Sequence, residues 1–471
     1  MTFTSLLFAG NKKTTKIKRT RNNKVFNYKK KEVKGKTEPQ IVELDLLDII
    51  NMALLNNPKI KQQWLNIKVG EENYSIKKAD WLPGINGAVS YESGNVDYKN
   101  NSAGKMDTDS SKWNAALEMN YLLFDFGGRE SDIANFKHKL SAIRYDTNSY
   151  VRNFIYDVIK SYYSVLSTMA NEVAAIDSEK SSYEAFKAAE TRYKVGFVAL
   201  TDKLQAETQY NKEILNRKKA ENTYKNKKAE LNYLLNLSPS ENLNLKGIQF
   251  YEIDEEIDID INILIDIALL NRSELKSIDS TRKAKESEIF KNKTARFPSI
   301  NLQARYGMVG DMENKNNIIN DTSNTFWNVG IKASIPFFTG GSISSNISKS
   351  KTELEIIKEQ ASDLKRNIEL DVWNAYQDFV TAKQSYDSSI VVLNSAKEAE
   401  KNIFGRYKSG KSSMLDLLNA QSNLSSARYE YINSQYNWFI QRANLIRAIG
   451  TMEFEEAQNV IKVEKEEEEI I

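Results

Sequence analysis

Residues 192–207, RYKVGFVALTDKLQAE, return at 406–421 as RYKSGKSSMLDLLNAQ. Arg, Tyr, Lys, Gly and a later Asp recur at an offset of 214. The correspondence extends well beyond these words. ALLNNPKIK at 53–61 answers ALLNRSELK at 268–276. WLPGINGAVSYESG from 81 answers RFPSINLQARYGMVG from 296, and FDFGG at 124–128 answers FFTGG at 337–341. All offsets fall between 213 and 215, so a tandem repeat organises the chain. The two repeats are assigned to 39–250 and 251–450, each with a short helix, two strands, a long helix and another short helix. Residues 1–38 read as a truncated signal remnant with a basic leader, and 451–471 as an acidic disordered tail.

The long helices follow from missing breakers. No Gly or Pro lies between Gly128 and Gly196, or between Gly341 and Gly405. Each stretch predicts a rod of about 100 Å. Val151, Ile155, Val158, Tyr162, Val165 and Met169 are spaced 4, 3, 4, 3, 4, which keeps one stripe against a partner helix. Shorter helices are expected at 43–79, 201–236, 261–295 and 412–449, with Pro58 kinking or splitting the first. RYKVG and RYKSG then stop the long helices on a left-handed glycine. The chain turns back into a short helix, capped by Thr201 or Ser412.

Four segments alternate with period two instead. Trp113, Leu117 and Tyr121 share one phase of 113–123, and Val329, Ile331 and Ile335 one phase of 327–337. Segments from Ile85 and from Ile300 alternate likewise. Each strand spans about 11–13 residues, which suits a tilted membrane crossing. The polar stretches 94–111 and 310–324 read as exposed loops. Four strands leave two open edges, which lipid does not tolerate, so several copies must close one barrel. The six named residues are the expected lipid-facing set.

Composition removes other classes. The chain of 471 residues has no cysteine, so disulfides, thiolate metal sites, thiol nucleophiles and a lipidated N-terminal Cys are excluded. His138 is the single histidine and reads as a helix-surface residue. No P-loop, GxGxxG, nucleophile elbow or HExxH is present, and no catalysis and no cofactor are expected. The net charge of +3 hides twelve Lys or Arg against one Glu at 12–36 and an EKEEEEII end. That leader reads as solvated, with no nucleic-acid partner expected. A soluble coiled-coil scaffold is the competing architecture. It accounts for the heptad spacing but not for four strands placed symmetrically between helical sections.

These residues, in this order and spacing, resemble the TolC-type outer-membrane efflux protein family, its non-lipidated branch, over about 41–450. The resemblance rests on the 53–60 helix start, Pro83 and Pro298 before strands, the FDFGG and FFTGG turns and both RYxxG hairpins with a following Asp. It implies a homotrimer with a twelve-stranded barrel in the outer membrane and an α-helical tunnel through the periplasm. It further implies a periplasmic adaptor and an inner-membrane pump or ABC exporter as partners, with outer-membrane lipid around the barrel. Efflux and type I secretion both remain open. The family closes its tunnel at the hairpin tips. Its Thr–Asp pair falls on Thr201 and Asp202, and its gate Tyr on Tyr407. Its gate Arg falls on Ser412, so that ion pair is absent, with Lys411 or Lys203 as substitutes. Its two inward aspartates fall on Asp416 and Asn419. Arg192, Gly196, Arg406 and Gly410 are the expected adaptor contacts at the tips.

Overall fold

The computed structural model describes residues 43–100, 104–247, 260–315 and 318–451. The basic leader and the acidic stretch from 452 lie outside the described residues. Helix α1 (Leu46–Asn56) and α2 (Pro58–Lys78) precede strands β1 (Gly84–Asn100) and β2 (Gly104–Phe124). Helix α3 (Gly128–Lys194) and α4 (Leu200–Leu234) follow. The order then recurs as α5 (Ile261–Asn271), α6 (Ser273–Thr294), β3 (Ser299–Lys315), β4 (Ile318–Ser334), α7 (Ser342–Lys408) and α8 (Met414–Ile449). Both α3 and α7 are 67 residues long. The second runs through Gly405 and ends at Lys408 within RYKSG, where Gly410 takes the expected left-handed conformation.

Two compact units divide the chain, and each takes segments from both halves. Of the described residues, one holds 43–62, 148–247, 260–272 and 365–451. Its largest core joins Ile49, Ile50 and Ala53 of α1 to Val158, Val165 and Leu166 of α3 and Leu231 of α4. This is the stripe read from the heptad spacing. The short segment before α1 is tied down by Leu44, whose N–H donates to the Asn244 carbonyl at 2.9 Å and whose carbonyl accepts from Lys246 N–H at 3.0 Å.

Helix breaks in this unit differ from expectation in an informative way. Pro58 does split the first short helix, occupying the first helical position where its missing N–H costs nothing. The expected single helix over 261–295 is also split, at Arg272, with no proline present. Asn57 adopts extended backbone and Arg272 leaves the helical region with ψ of 118°, and both N–H groups still donate back to Ala53 and Ala268. Their side chains then reach C-terminal carbonyls on another helix. Asn57 Nδ2 donates to Leu234 O at 2.8 Å, and Arg272 Nη1 donates to Ala448 O at 3.0 Å. Leu234 and Ala448 are themselves 214 apart. The break is therefore a device that satisfies the orphan carbonyls of α4 and α8.

The second unit holds 63–147 and 273–364 and contains the sheet. All neighbours are antiparallel in the order β1-β2-β3-β4, leaving β1 and β4 as edges. The strands are longer than expected, 17 to 21 residues. Pairing continues from Gly84↔Asn120 to Asn100↔Gly104, so 94–100 and 104–111 are strand rather than loop. The same holds for most of 310–324. Backbone pairing is indifferent to the polar side chains that end the alternation. At the other end β4 stops at Ser334, short of the expected 337, because Pro336 has no N–H to offer a ladder.

Register divides the sheet into two faces. Tyr121↔Leu302↔Ile331 and Leu117↔Tyr306↔Trp327 are rows of the apolar face. Asn86, Glu118, Arg305 and Asn328 form a row of the polar face. A bulge skips Leu123, so Phe124, not Leu123, pairs with Ile300 and continues the apolar face. Aromatics lie over glycine on each face. Trp113 covers Gly310, and a Cβ on Gly307 would meet Phe326 Cζ at 2.9 Å and Ala115 O at 2.6 Å. These pairs pin the register of β3.

Of the expected lipid-facing set, Leu117, Val329 and Ile331 are exposed on the apolar face. Trp113 and Tyr121 share that face but are partly buried by neighbours, and Ile335 lies just beyond the end of β4. Ile331 is 70% exposed. Placing a lysine there should cost about 2–4 kcal/mol if the face meets mid-bilayer lipid. Ile331→Lys is expected to lose its heat-resistant folded form in detergent, while Asn328→Lys on the opposite face keeps it. A heat-resistant Ile331→Lys protein would place this face in water.

Candidate functional site

Two places carry chemistry suited to a conduit, and each is built within one unit. The first is the pair of hairpins joining α3 to α4 and α7 to α8. Both turns close in the same way. Phe197 N–H donates to Arg192 O and Gly196 N–H to Tyr193 O, at 2.8 and 2.9 Å. Lys411 N–H donates to Arg406 O and Gly410 N–H to Tyr407 O, at 2.8 and 3.0 Å. Gly196 and Gly410 have φ of 78° and 75°, the left-handed conformation that lets a helix end this way.

The caps that follow are one or two residues from where they were expected. Helix α4 is capped by Ala199, with no side-chain bond, so Thr201 lies inside the helix. Helix α8 is capped by Ser413 rather than Ser412. Ser413 Oγ accepts from Asp416 N at 3.1 Å, and Asp416 Oδ2 accepts from Ser413 N at 3.0 Å, a reciprocal capping box. Ser412 Oγ donates to the same Asp416 oxygen at 2.9 Å. The Ser413 N–H, then the Ser413 and Ser412 hydroxyls, hold the Asp416 carboxyl below the usual aspartate value. Asp416 and Asn419 are both exposed on α8.

The two tyrosines of the repeated RYK words have opposite fates. Tyr193 is exposed, whereas Tyr407 is 2% exposed. Tyr407 packs in a cluster with Ala185, Ala189, Ala206, Met414 and Leu417, which joins both hairpins. It does not project into solvent as an aperture-narrowing residue of the isolated chain would. Arg192 crosses from the first hairpin to the second. Its Nη1 donates to Tyr407 O at 2.9 Å, and its guanidinium lies 5.0 Å from the Tyr407 ring centre. Burial pushes the Tyr407 phenol up, against the opposing influence of Arg192 and with Asp202 adding to the rise. Among the described residues the hydroxyl has no partner in hydrogen-bonding geometry. Arg406, by contrast, donates to Lys411 O of its own turn, at 3.5 Å. The structure thus joins Arg192, Tyr407 and, through its field, Asp202. Lys411, Ser412, Asp416 and Asn419 lie on the second hairpin, with only Ser412 and Asp416 in contact. Arg192 as a clamp was not legible, because Arg192 and Arg406 occupy the same place in the same word.

The second place is the sheet. Its polar face presents Glu118 and Arg305, paired at 3.0 Å, with the Arg305 guanidinium 5.1 Å from the Phe326 ring centre. Lys332 stands on this face beside Asn301. No helix among the described residues is long and apolar enough to cross a membrane. Among the described residues no group of His, Cys, Asp and Glu could hold a metal ion.

Residues 49–237 and 264–451 each match the outer membrane efflux protein family, once per half of the chain. The chain belongs to this family. It is similar to outer membrane protein TolC of Escherichia coli strain K12, 21% identical over 421 residues, covering 87% of this chain and 82% of that protein. It is similar also to outer membrane efflux protein BepC of Brucella suis, 22% identical over 413 residues, covering 85% and 84%. Among solved structures, the Campylobacter jejuni CmeC outer membrane channel superposes with a TM-score of 0.73 at 19% identity, covering 94% of each chain. As a member of the outer membrane efflux proteins, the chain belongs to a channel family rather than an enzyme family, and its place is the outer membrane.

Proposed function

We propose that three copies of this chain close one twelve-stranded barrel, and that the helices continue it as a tunnel through the periplasm. The observation that carries this reading is a four-stranded sheet with one apolar face and two unpaired edges, β1 and β4. Such edges in lipid leave backbone groups unsatisfied unless another copy pairs with them. The duct receives cargo from a periplasmic adaptor and an inner-membrane pump, with efflux favoured over type I secretion by the family match. The adaptor meets the tips around Arg192, Gly196, Arg406 and Gly410. Residues 39–250 and 251–450 are its two tandem repeats. Native mass measurement in detergent is expected to give three chains per particle, and a stable monomer would sink the shared barrel.

The tip acts as the gate. In a threefold assembly Asp416 recurs as an acidic ring near the axis, weakened by Asn419 where the family places a second aspartate. Asp416→Asn removes the charge while its amide oxygen still accepts the Ser413 N–H, so the capping box survives in part. Single-channel recording is expected to show cation preference and divalent block in the wild type and neither in Asp416→Asn. The sign with pH follows from the lowered pKa. The carboxylate stays charged as pH falls to the ordinary aspartate value of about 3.9. Block therefore persists there and is lost only below it. Unchanged block in Asp416→Asn would remove the acidic ring from the mechanism.

A further inference from the structure

The polar face of the sheet carries a charge that its neighbours do not balance. From the Glu118–Arg305 row to the end of β4, Glu118 is the one acidic side chain on this face, and Arg305 takes it at 3.0 Å. Lys332 lies two rows further on, past Gln303↔Gly330, and pairs across the strand with Asn301. It is exposed and makes no hydrogen bond or ion pair among the described residues. The structure spends no local interaction on this ammonium. A bare lysine on a face otherwise lined there by Asn, Gln, Gly, Ser and Leu122 is a field source facing water.

Its position gives that field an address. β4 ends at Ser334, two residues after Lys332, and α7 begins at Ser342. Lys332 therefore stands at the end of the sheet where the strands give way to helix. The apolar face of the sheet excludes water if it meets lipid, so the opposite face lines the lumen. In the shared barrel of the reading above, on which this inference rests, Lys332 recurs three times in one ring. Rings of Lys or Arg select for anions in pores.

We propose that Lys332 is a specificity-determining residue that makes the base of the barrel anion-preferring, so that anionic cargo is favoured at this step of transit. Arg305 and Phe326 lie beyond it on the same face, a cation against an aromatic ring. They extend a surface suited to organic anions with an apolar body. The barrel ring and the acidic gate then act in series with opposite sign. The gate's preference masks the barrel's while the tunnel is closed.

The test uses the full-length protein in planar bilayers under a KCl gradient, in the Asp416→Asn background to remove the masking ring. That background is expected to show chloride preference. Adding Lys332→Gln should lower the chloride-to-potassium permeability ratio severalfold towards unity. Lys332→Glu should reverse it, and Lys332→Arg should preserve it. The chain has no cysteine, so Lys332→Cys supplies a single thiol. A membrane-impermeant cationic thiol reagent should restore chloride preference to that variant, and an anionic one should invert it. Unchanged ratios in conducting Lys332→Gln and Lys332→Glu channels would overturn the inference and leave the channel reading intact. A Lys332→Cys thiol that no water-borne reagent reaches would overturn it too, by removing this face from the lumen. Absence of any wild-type conductance would instead overturn the channel reading and this inference with it.

Discussion

Replacing Asp371 by Ala is expected to cost about 1.5–3 kcal/mol, the range for hydrogen bonds to a charged group, because the Asp371 side chain is 31% exposed. Asp371 Oδ2 accepts from Arg272 Nη1 at 3.0 Å and from Arg447 Nη1 at 3.2 Å, and its Oδ1 accepts from Arg447 Nη2 at 2.8 Å. One carboxylate therefore binds two guanidiniums, and the Arg272 side chain is only 8% exposed. The same Arg272 carries the carbonyls at the end of α8, so the cluster holds the α5–α6 break, α7 and α8 together. Burial pushes the Asp371 carboxyl up, but the hydrogen bonds and charges of Arg447 and Arg272 outweigh it and hold it below its usual value. A carboxyl lowered on folding stabilises the native state above its unfolded pKa of about 3.9 and loses that contribution as pH falls through its folded value. Thermal unfolding of Asp371→Ala should therefore fall well below wild type at neutral pH, and the gap should narrow below about pH 4. Asp371→Asn keeps an acceptor and should lie between the two. Equal unfolding temperatures for wild type and Asp371→Ala at pH 7 would show that the cluster is incidental.

That cluster also marks where sequence reasoning stops. The matching half has Asn57 where Arg272 stands, followed by Pro58, and the proline announced the break. Nothing local announces the break at Arg272. It exists because a side chain reaches carbonyls 175 and 176 residues away. The left-handed glycines were legible because backbone conformation is a local property. The caps were displaced by one or two residues because Ser412 and Ser413, or Thr201 and Ala199, differ only in which reaches the helix end. Strand phase was legible and strand length was not. Alternation reports which face is apolar, whereas the ladder continues wherever backbone pairs, as from Glu92↔Lys112 to Asn100↔Gly104. The bulge at Leu123 is likewise silent in the alternation, which marks Leu123 and not Phe124 as the next apolar-face residue.

The duplicated RYK words show the same limit at the hairpin tips. Tyr193 and Tyr407 are indistinguishable by motif, yet one is exposed and the other lies in the core of the hairpins. Burial follows from which helices meet at the second turn, where Met414 and Leu417 of α8 face Ala185 and Ala189 of α3. The alanines leave room for a ring that the small residues of the first hairpin do not fill themselves.

Tyr407→Ala is accordingly expected to remove about 3–5 kcal/mol of packing, the range for truncating a buried aromatic. The Arg192 bond to the Tyr407 carbonyl survives that change, because it is made to backbone. What is lost is the apolar contact that draws the hairpins together and the ring beneath the Arg192 guanidinium. The closed channel should conduct more, and limited proteolysis should cut faster in the turns at 195–199 and 409–413. Tyr407→Phe separates packing from hydrogen bonding. The hydroxyl is buried with no partner in hydrogen-bonding geometry among the described residues, so removing it relieves an unsatisfied polar atom. Tyr407→Phe should therefore match wild type in conductance and protease resistance, within about 1 kcal/mol in stability. A gate closed by packing predicts a wide gap between Ala and Phe. A gate closed through the phenol predicts that Phe opens the channel as far as Ala does, and that result would overturn the assignment of Tyr407 as a core residue of the tip.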